Sequence, residues 1–119
     1  MKRKKLTPDQ RKQIYGSCNG RCAYCGSELR YKDMQVDHIK PLQHGGADHI
    51  SNMLPACRSC NNRKGAESLK WYRHSVENFL NILNRDSVTY RNAVRYGLII
   101  PNPHPVKFYF EKIQNERDA

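Results

Sequence analysis

No run of residues in this chain approaches the ~18–20 consecutive apolar positions that would span a bilayer, so no membrane-spanning segment is expected. The basic opening MKRKKLTPDQ is not followed by an apolar stretch. A secretory signal is therefore not expected, and the chain reads as an intracellular, cytoplasmic protein. Internal repeats and low-complexity runs are absent. Acidic residues are scarce, with 11 Asp+Glu against 21 Lys+Arg and a formal net charge of +10. The five cysteines are an odd number, which argues against a disulfide framework. At 119 residues the chain allows one domain with a modest core and an appended arm.

The excess charge is concentrated. Residues 1–65 hold 13 Lys/Arg against 5 Asp/Glu, whereas residues 66–119 hold 8 against 6. A basic half joined to a near-neutral half suggests a polyanion on one face: nucleic acid first, an anionic membrane surface second. A merely solvated basic surface would carry the same charge.

Four cysteines fall as Cys22-x-x-Cys25 and Cys57-x-x-Cys60. Two such pairs suit a tetrahedral Cys₄ zinc site, each gripping the ion from one turn. Cys18 is left over and reads as a free thiol. The pairs are separated by 31 residues, more than a compact zinc ribbon needs, so structure is inserted between them.

That insertion reads as strand, loop, strand and helix. MQVDHI (34–39) and NMLPAC (52–57) are short strand patterns, separated by KPLQHGGADHIS with its Pro41 and Gly45-Gly46 pair. A helix is expected from about Ser59, weakened at Gly65. Before the first cysteine pair, Thr7, Pro8 and Gln10 form a capping-box signature for a helix running to about Tyr15 and ending at Gly16. After the core, Leu69, Tyr72, Val76, Phe79, Leu80 and Leu83 make the apolar stripe of a long helix. DSVTYRNAVRYG (86–97) reads as a second helix, and VKFYFEKI as a strand or final packed segment. Trp71, Tyr72, Phe79, Tyr90, Tyr96, Phe108 and Tyr109 are expected to be packing residues. The fold class is α+β: a small zinc-stabilised, treble-clef-like core with flanking helices. The organisation is an arm and helix over 1–17, a core over 18–67 and a helical extension over 68–119.

Asp37 and His38 close the first strand, where alternation sends neighbouring side chains to opposite faces. The zinc clamp brings the helix after Cys60 back against this hairpin, so Asn61 stands on backbone that the metal fixes. An oxygen donor held beside Asp37 would complete a site for a hard cation such as Mg²⁺. Asn52, opening the second strand, is placed to brace the loop through backbone hydrogen bonds.

The segment CAYCG…VDHIKPLQHGGADHISNMLPACRSCNNRKG resembles the HNH endonuclease family, built on a ββα-metal hairpin and helix, over residues 18–66. Its layout is similar to that of phage endonuclease VII, in which an Asn also follows the last zinc cysteine. The resemblance implies His38 as general base, Asp37 and Asn61 as ligands of a catalytic Mg²⁺ or Mn²⁺, and Asn52 as the residue orienting the loop and His38. Many members carry His where Asn61 stands, so this is an H-N-N variant. The implied reaction is hydrolysis of DNA to 5′-phosphate and 3′-hydroxyl ends. Arg21, Arg30, Lys40, Arg58, Arg63 and Lys64 would hold the phosphate backbone, with the KRKK arm following the duplex. Surplus in the apolar stripe would suit a homodimer or the docking of another DNA-processing protein. Packaging, mobile-element, restriction and junction-resolving enzymes all use this core. Two other readings fit the residues: a non-catalytic zinc module that binds nucleic acid, and a treble-clef protein-interaction domain. His44, His49, His74 and His104 read as loop, structural or surface residues.

Overall fold

A computed structural model describes residues 5–118. Contacts divide them into two units, one reaching Leu69 and resuming at Lys107, the other Lys70–Val106.

The first unit opens with α1 (Pro8–Ser17). Thr7 Oγ1 accepts from the Gln10 amide at 3.1 Å and Gln10 Oε1 accepts from the Thr7 amide at 2.9 Å, so two orphan donors of the first turn are satisfied reciprocally. The helix passes through Gly16 to Ser17. The chain turns instead at Asn19 and Gly20, whose φ values of 58° and 71° are left-handed. The first cysteine turn follows, and Gly26, with φ 76°, closes it. The Ala23 amide donates to the Pro55 carbonyl at 2.8 Å, tying this turn to the second strand.

Strands β1 (Gln35–His38) and β2 (Met53–Ala56) form an antiparallel pair, with Asp37 opposite Leu54 and His38 opposite Met53. All four residues of β2 are buried. The strand packs under α1, where Ile14, Leu29, Met34 and Met53 form the core cluster. A cluster of this size is small for a hydrophobic core, so a metal staple carries weight here. Helix α2 (Arg58–Lys64) starts on Cys57, whose sulfur accepts from the Cys60 amide, and ends at Gly65 with φ 55°. It lies against β1.

The segment VKFYFEKI is neither a strand nor loose. It leads into α6 (Tyr109–Asp118), and its start docks on the first cysteine turn. The Tyr109 and Phe110 amides donate to the Tyr24 and Ala23 carbonyls. Phe108 and Phe110 meet the Tyr24 ring edge-on at 5.1 and 6.1 Å. Of the two readings of this segment, strand or final packed segment, the structure shows the packed one, with its aromatics against Tyr24.

In the second unit the expected long helix is two, α3 (Leu69–Glu77) and α4 (Phe79–Asp86). A turn at Asn78 separates them, although helical bonding continues across it: the Asn78 amide donates to the His74 carbonyl and the Ile82 amide to the Asn78 carbonyl, both at 3.1 Å. Helix α5 (Val88–Arg95) is capped by Ser87, which accepts from the Tyr90 amide at 3.0 Å. Tyr72 and Tyr90 are buried as expected, but Trp71 and Tyr96 are exposed, Tyr96 by 81 %. No helix among the described residues is long and apolar enough to cross a membrane.

Candidate active site

Two distant turns bring four thiols together. The Sγ atoms of Cys22, Cys25, Cys57 and Cys60 lie within 4.8 Å of one another, with Cys25 and Cys57 at 3.9 Å. Tetrahedral zinc–thiolate bonds of about 2.3 Å require sulfurs about 3.8 Å apart, so donor set and spacing fit a structural zinc ion. A hydrogen bond from Cys60 lowers the Cys22 thiol to about 4, while burial raises Cys57. The opposed directions have different causes, hydrogen bonding to one sulfur and desolvation of the other. Cys18 stays outside this cluster, buried, its thiol pushed up by desolvation, as suits an inert free cysteine.

Asp37 and His38 diverge from the end of β1, as alternation requires, yet both border one cleft of about 660 Å³ together with Asn61 and Asn62. Asp37 is 4 % exposed. Tyr24, in the first cysteine turn, donates its hydroxyl hydrogen to Asp37 Oδ2. From α2, Lys64 Nζ lies 3.1 Å from Oδ2 and donates to Oδ1 at 3.3 Å and to the His38 carbonyl at 3.0 Å. The zinc turn and the helix behind it thus both reach the same carboxylate.

Lys64 therefore departs from its expected role. Its side chain is 0 % exposed and cannot meet a phosphate backbone at the surface. A buried ammonium is tolerated only when paired, and Asp37 supplies the pair. The carboxylate is not saturated, because its two oxygens offer about four lone-pair sites. Asn61 lines the same cleft, and carboxylate and amide oxygens are the donor types that hard cations take.

His38 Nε2 lies 3.0 Å from Asp48 Oδ1, with both side chains largely buried. Asp48 sits in the loop between the strands, which Asn52 holds in shape. Asn52 Oδ1 accepts from the Lys40 amide at 3.0 Å, and its Nδ2 donates to the Lys40 and Ala47 carbonyls at 2.9 Å each. Gly46 is required for this closure, since a Cβ there would fall 1.8 Å from the Lys40 carbonyl oxygen. The expected bracing by Asn52 is thus present as geometry. Asp48 and Tyr24 were not singled out from the sequence. Asp48 follows the Gly-Gly turn, the one sequence cue for it; Tyr24 had none beyond lying between two ligands.

The sequence profile of the HNH endonuclease family matches residues 22–67, from the first zinc cysteine to just beyond Lys64. Residues 22–67 belong to the HNH endonuclease family. Similar proteins agree. The SPbeta prophage-derived protein YoqL of Bacillus subtilis, itself named an HNH endonuclease only provisionally, is 32 % identical over 87 residues, or 66 % of this chain and 38 % of its own length. The CRISPR-associated endonuclease Cas9 of Corynebacterium diphtheriae is 38 % identical over 48 residues, 40 % of this chain and 4 % of that protein. The type II-C Cas9 of Actinomyces naeslundii shares the fold with a TM-score of 0.53 and 24 % identity over 63 % of this chain and 9 % of its own. The chain thus spans well under half the length of these relatives. The HNH core is a zinc-stapled ββα unit, as the sequence led us to expect.

The other basic candidates differ in exposure. Arg30, Lys40, Arg58 and Arg63 are exposed, with Arg30 paired to Asp33 at 2.7 Å. Arg21 is half-buried and donates to the Gly26 carbonyl at 2.9 Å, which makes it a brace of the zinc turn. The KRKK arm lies almost wholly outside the described residues; Lys5, its last member, is exposed. His49 caps a short turn by accepting from the Ser51 amide at 3.1 Å, in keeping with its expected loop role.

Proposed function

We propose that this chain is a metal-dependent DNA endonuclease hydrolysing phosphodiester bonds at the cleft of its HNH core. The observation that carries the reading is the meeting of Asp37, His38 and Asn61, from a strand end and a zinc-anchored helix, on one open cleft. Histidine titrates near neutral pH and can accept a proton from water there. His38 takes that proton as the water oxygen attacks phosphorus in line. The bond from phosphorus to the 3′ oxygen breaks, leaving 5′-phosphate and 3′-hydroxyl ends. Asp37 and Asn61 would hold Mg²⁺ or Mn²⁺, which when bound supplies positive charge at the phosphate. Arg30, Lys40, Arg58 and Arg63 hold the duplex through its backbone without reading sequence.

One observation favours a second reading, a zinc module that binds nucleic acid without cutting it: Lys64 already balances the Asp37 charge. Incubating the purified protein with supercoiled plasmid and Mg²⁺, Mn²⁺ or chelator separates the two. Metal-dependent nicking supports the endonuclease. Binding without nicking in every metal supports the module.

A further inference from the structure

We infer that Asp48 is the positioning residue of the HNH base, selecting the His38 tautomer and holding its ring. This rests on the endonuclease reading for its catalytic consequence, but its structural content stands alone. An imidazole has two distinct nitrogens, and the partner of one decides what the other can do. Asp48 Oδ1 lies 3.0 Å from Nε2 of His38. An ionised carboxylate only accepts, so Nε2 carries the hydrogen and Nδ1 keeps the lone pair. Nδ1 is then the atom that accepts a proton.

The chemistry balances around this arrangement. As the water oxygen bonds to phosphorus, one water proton moves to Nδ1 and the ring becomes a cation. The bond to the leaving 3′ oxygen breaks, and that oxygen takes a proton from solvent. The cation formed on His38 lies against the Asp48 carboxylate in a site that is mostly shielded, His38 being 8 % exposed.

The loop explains why Asp48 is there. Gly46 lets the chain fold tightly over Lys40, and Asn52 ties Lys40 and Ala47 together by three hydrogen bonds. Ala47 is the residue directly before Asp48. On this reading Asn52 acts on His38 through the loop and Asp48, not by touching substrate.

Two measurements test it. In ¹⁵N-labelled protein, histidine spectra at a pH where His38 is neutral should show it as the Nε2–H tautomer, with that preference weakened in Asp48→Ala. In cleavage assays Asp48→Ala should lower kcat about 10²-fold, within the usual range for a positioned acid–base group, with DNA affinity unchanged. Asp48→Asn, whose amide oxygen still accepts from Nε2, should restore the tautomer but only part of the rate. Asp48→Ala should cost nothing further in a His38→Ala background. An Nδ1–H tautomer in wild type, or an Asp48→Ala enzyme with undiminished kcat, overturns the assignment. Should the wild type not cut DNA at all, the endonuclease reading fails while the tautomer measurement still decides the role of Asp48.

Discussion

At the scale of single residues, three contacts define the site, and all three join positions far apart in sequence. Lys64 to Asp37 spans 27 residues, Tyr24 to Asp37 spans 13, and His38 to Asp48 spans 10. Such pairs carry no local signal. Residue type and motif single out Asp37, His38, Asn52 and Asn61, but sequence does not distinguish a buried lysine from an exposed one, which is why Lys64 reads there as a phosphate contact. The burial sets a definite expectation. Lys64→Met removes one partner of a buried pair and leaves the Asp37 charge uncompensated, which should cost about 3–5 kcal/mol in denaturant unfolding. A surface phosphate contact would instead weaken DNA binding and leave stability alone. Gly46→Ala should also be damaging, since its Cβ cannot fit against the Lys40 carbonyl. We expect lost cleavage with zinc content unchanged, measured by metal analysis alongside the nicking assay.

At the scale of elements, the hairpin, the helix that follows it and α1 were legible because their signals are local: a capping box, two Cys-x-x-Cys turns and short apolar runs bounded by Gly and Pro. The break at Asn78 and the identity of the last segment were not. VKFYFEKI has the aromatic content of a strand, yet its aromatics are there to cover the first cysteine turn and the helix follows. The Tyr24 ring that Phe108 packs against belongs to the side chain that holds Asp37. Phe108→Ala should therefore lower unfolding free energy by about 3–5 kcal/mol, followed by chemical denaturation. Thr7→Ala, which removes one cap far from the cleft, should cost only about 1 kcal/mol and leave cleavage intact.

At the scale of the whole molecule, a small core carries a four-cysteine site fit for zinc, and an ion there would hold the proposed catalytic residues in place. Cys60 and Asn61 are neighbours in α2, and Tyr24 lies between Cys22 and Cys25, so a zinc ion would fix the backbone of Asn61, which lines the cleft, and of Tyr24, which holds Asp37. Zinc binding requires thiolates, so it should release protons, and occupancy should fall as pH falls. Stripping zinc with a strong chelator should unfold the core, seen by circular dichroism, whether or not Mg²⁺ is present. The most direct test of the central claim compares wild type with His38→Ala on supercoiled plasmid in Mg²⁺ and Mn²⁺, with DNA affinity measured in parallel. The expected result is that wild type nicks the plasmid, whereas His38→Ala binds DNA equally well and does not cut it. Equal cleavage by His38→Ala would contradict it.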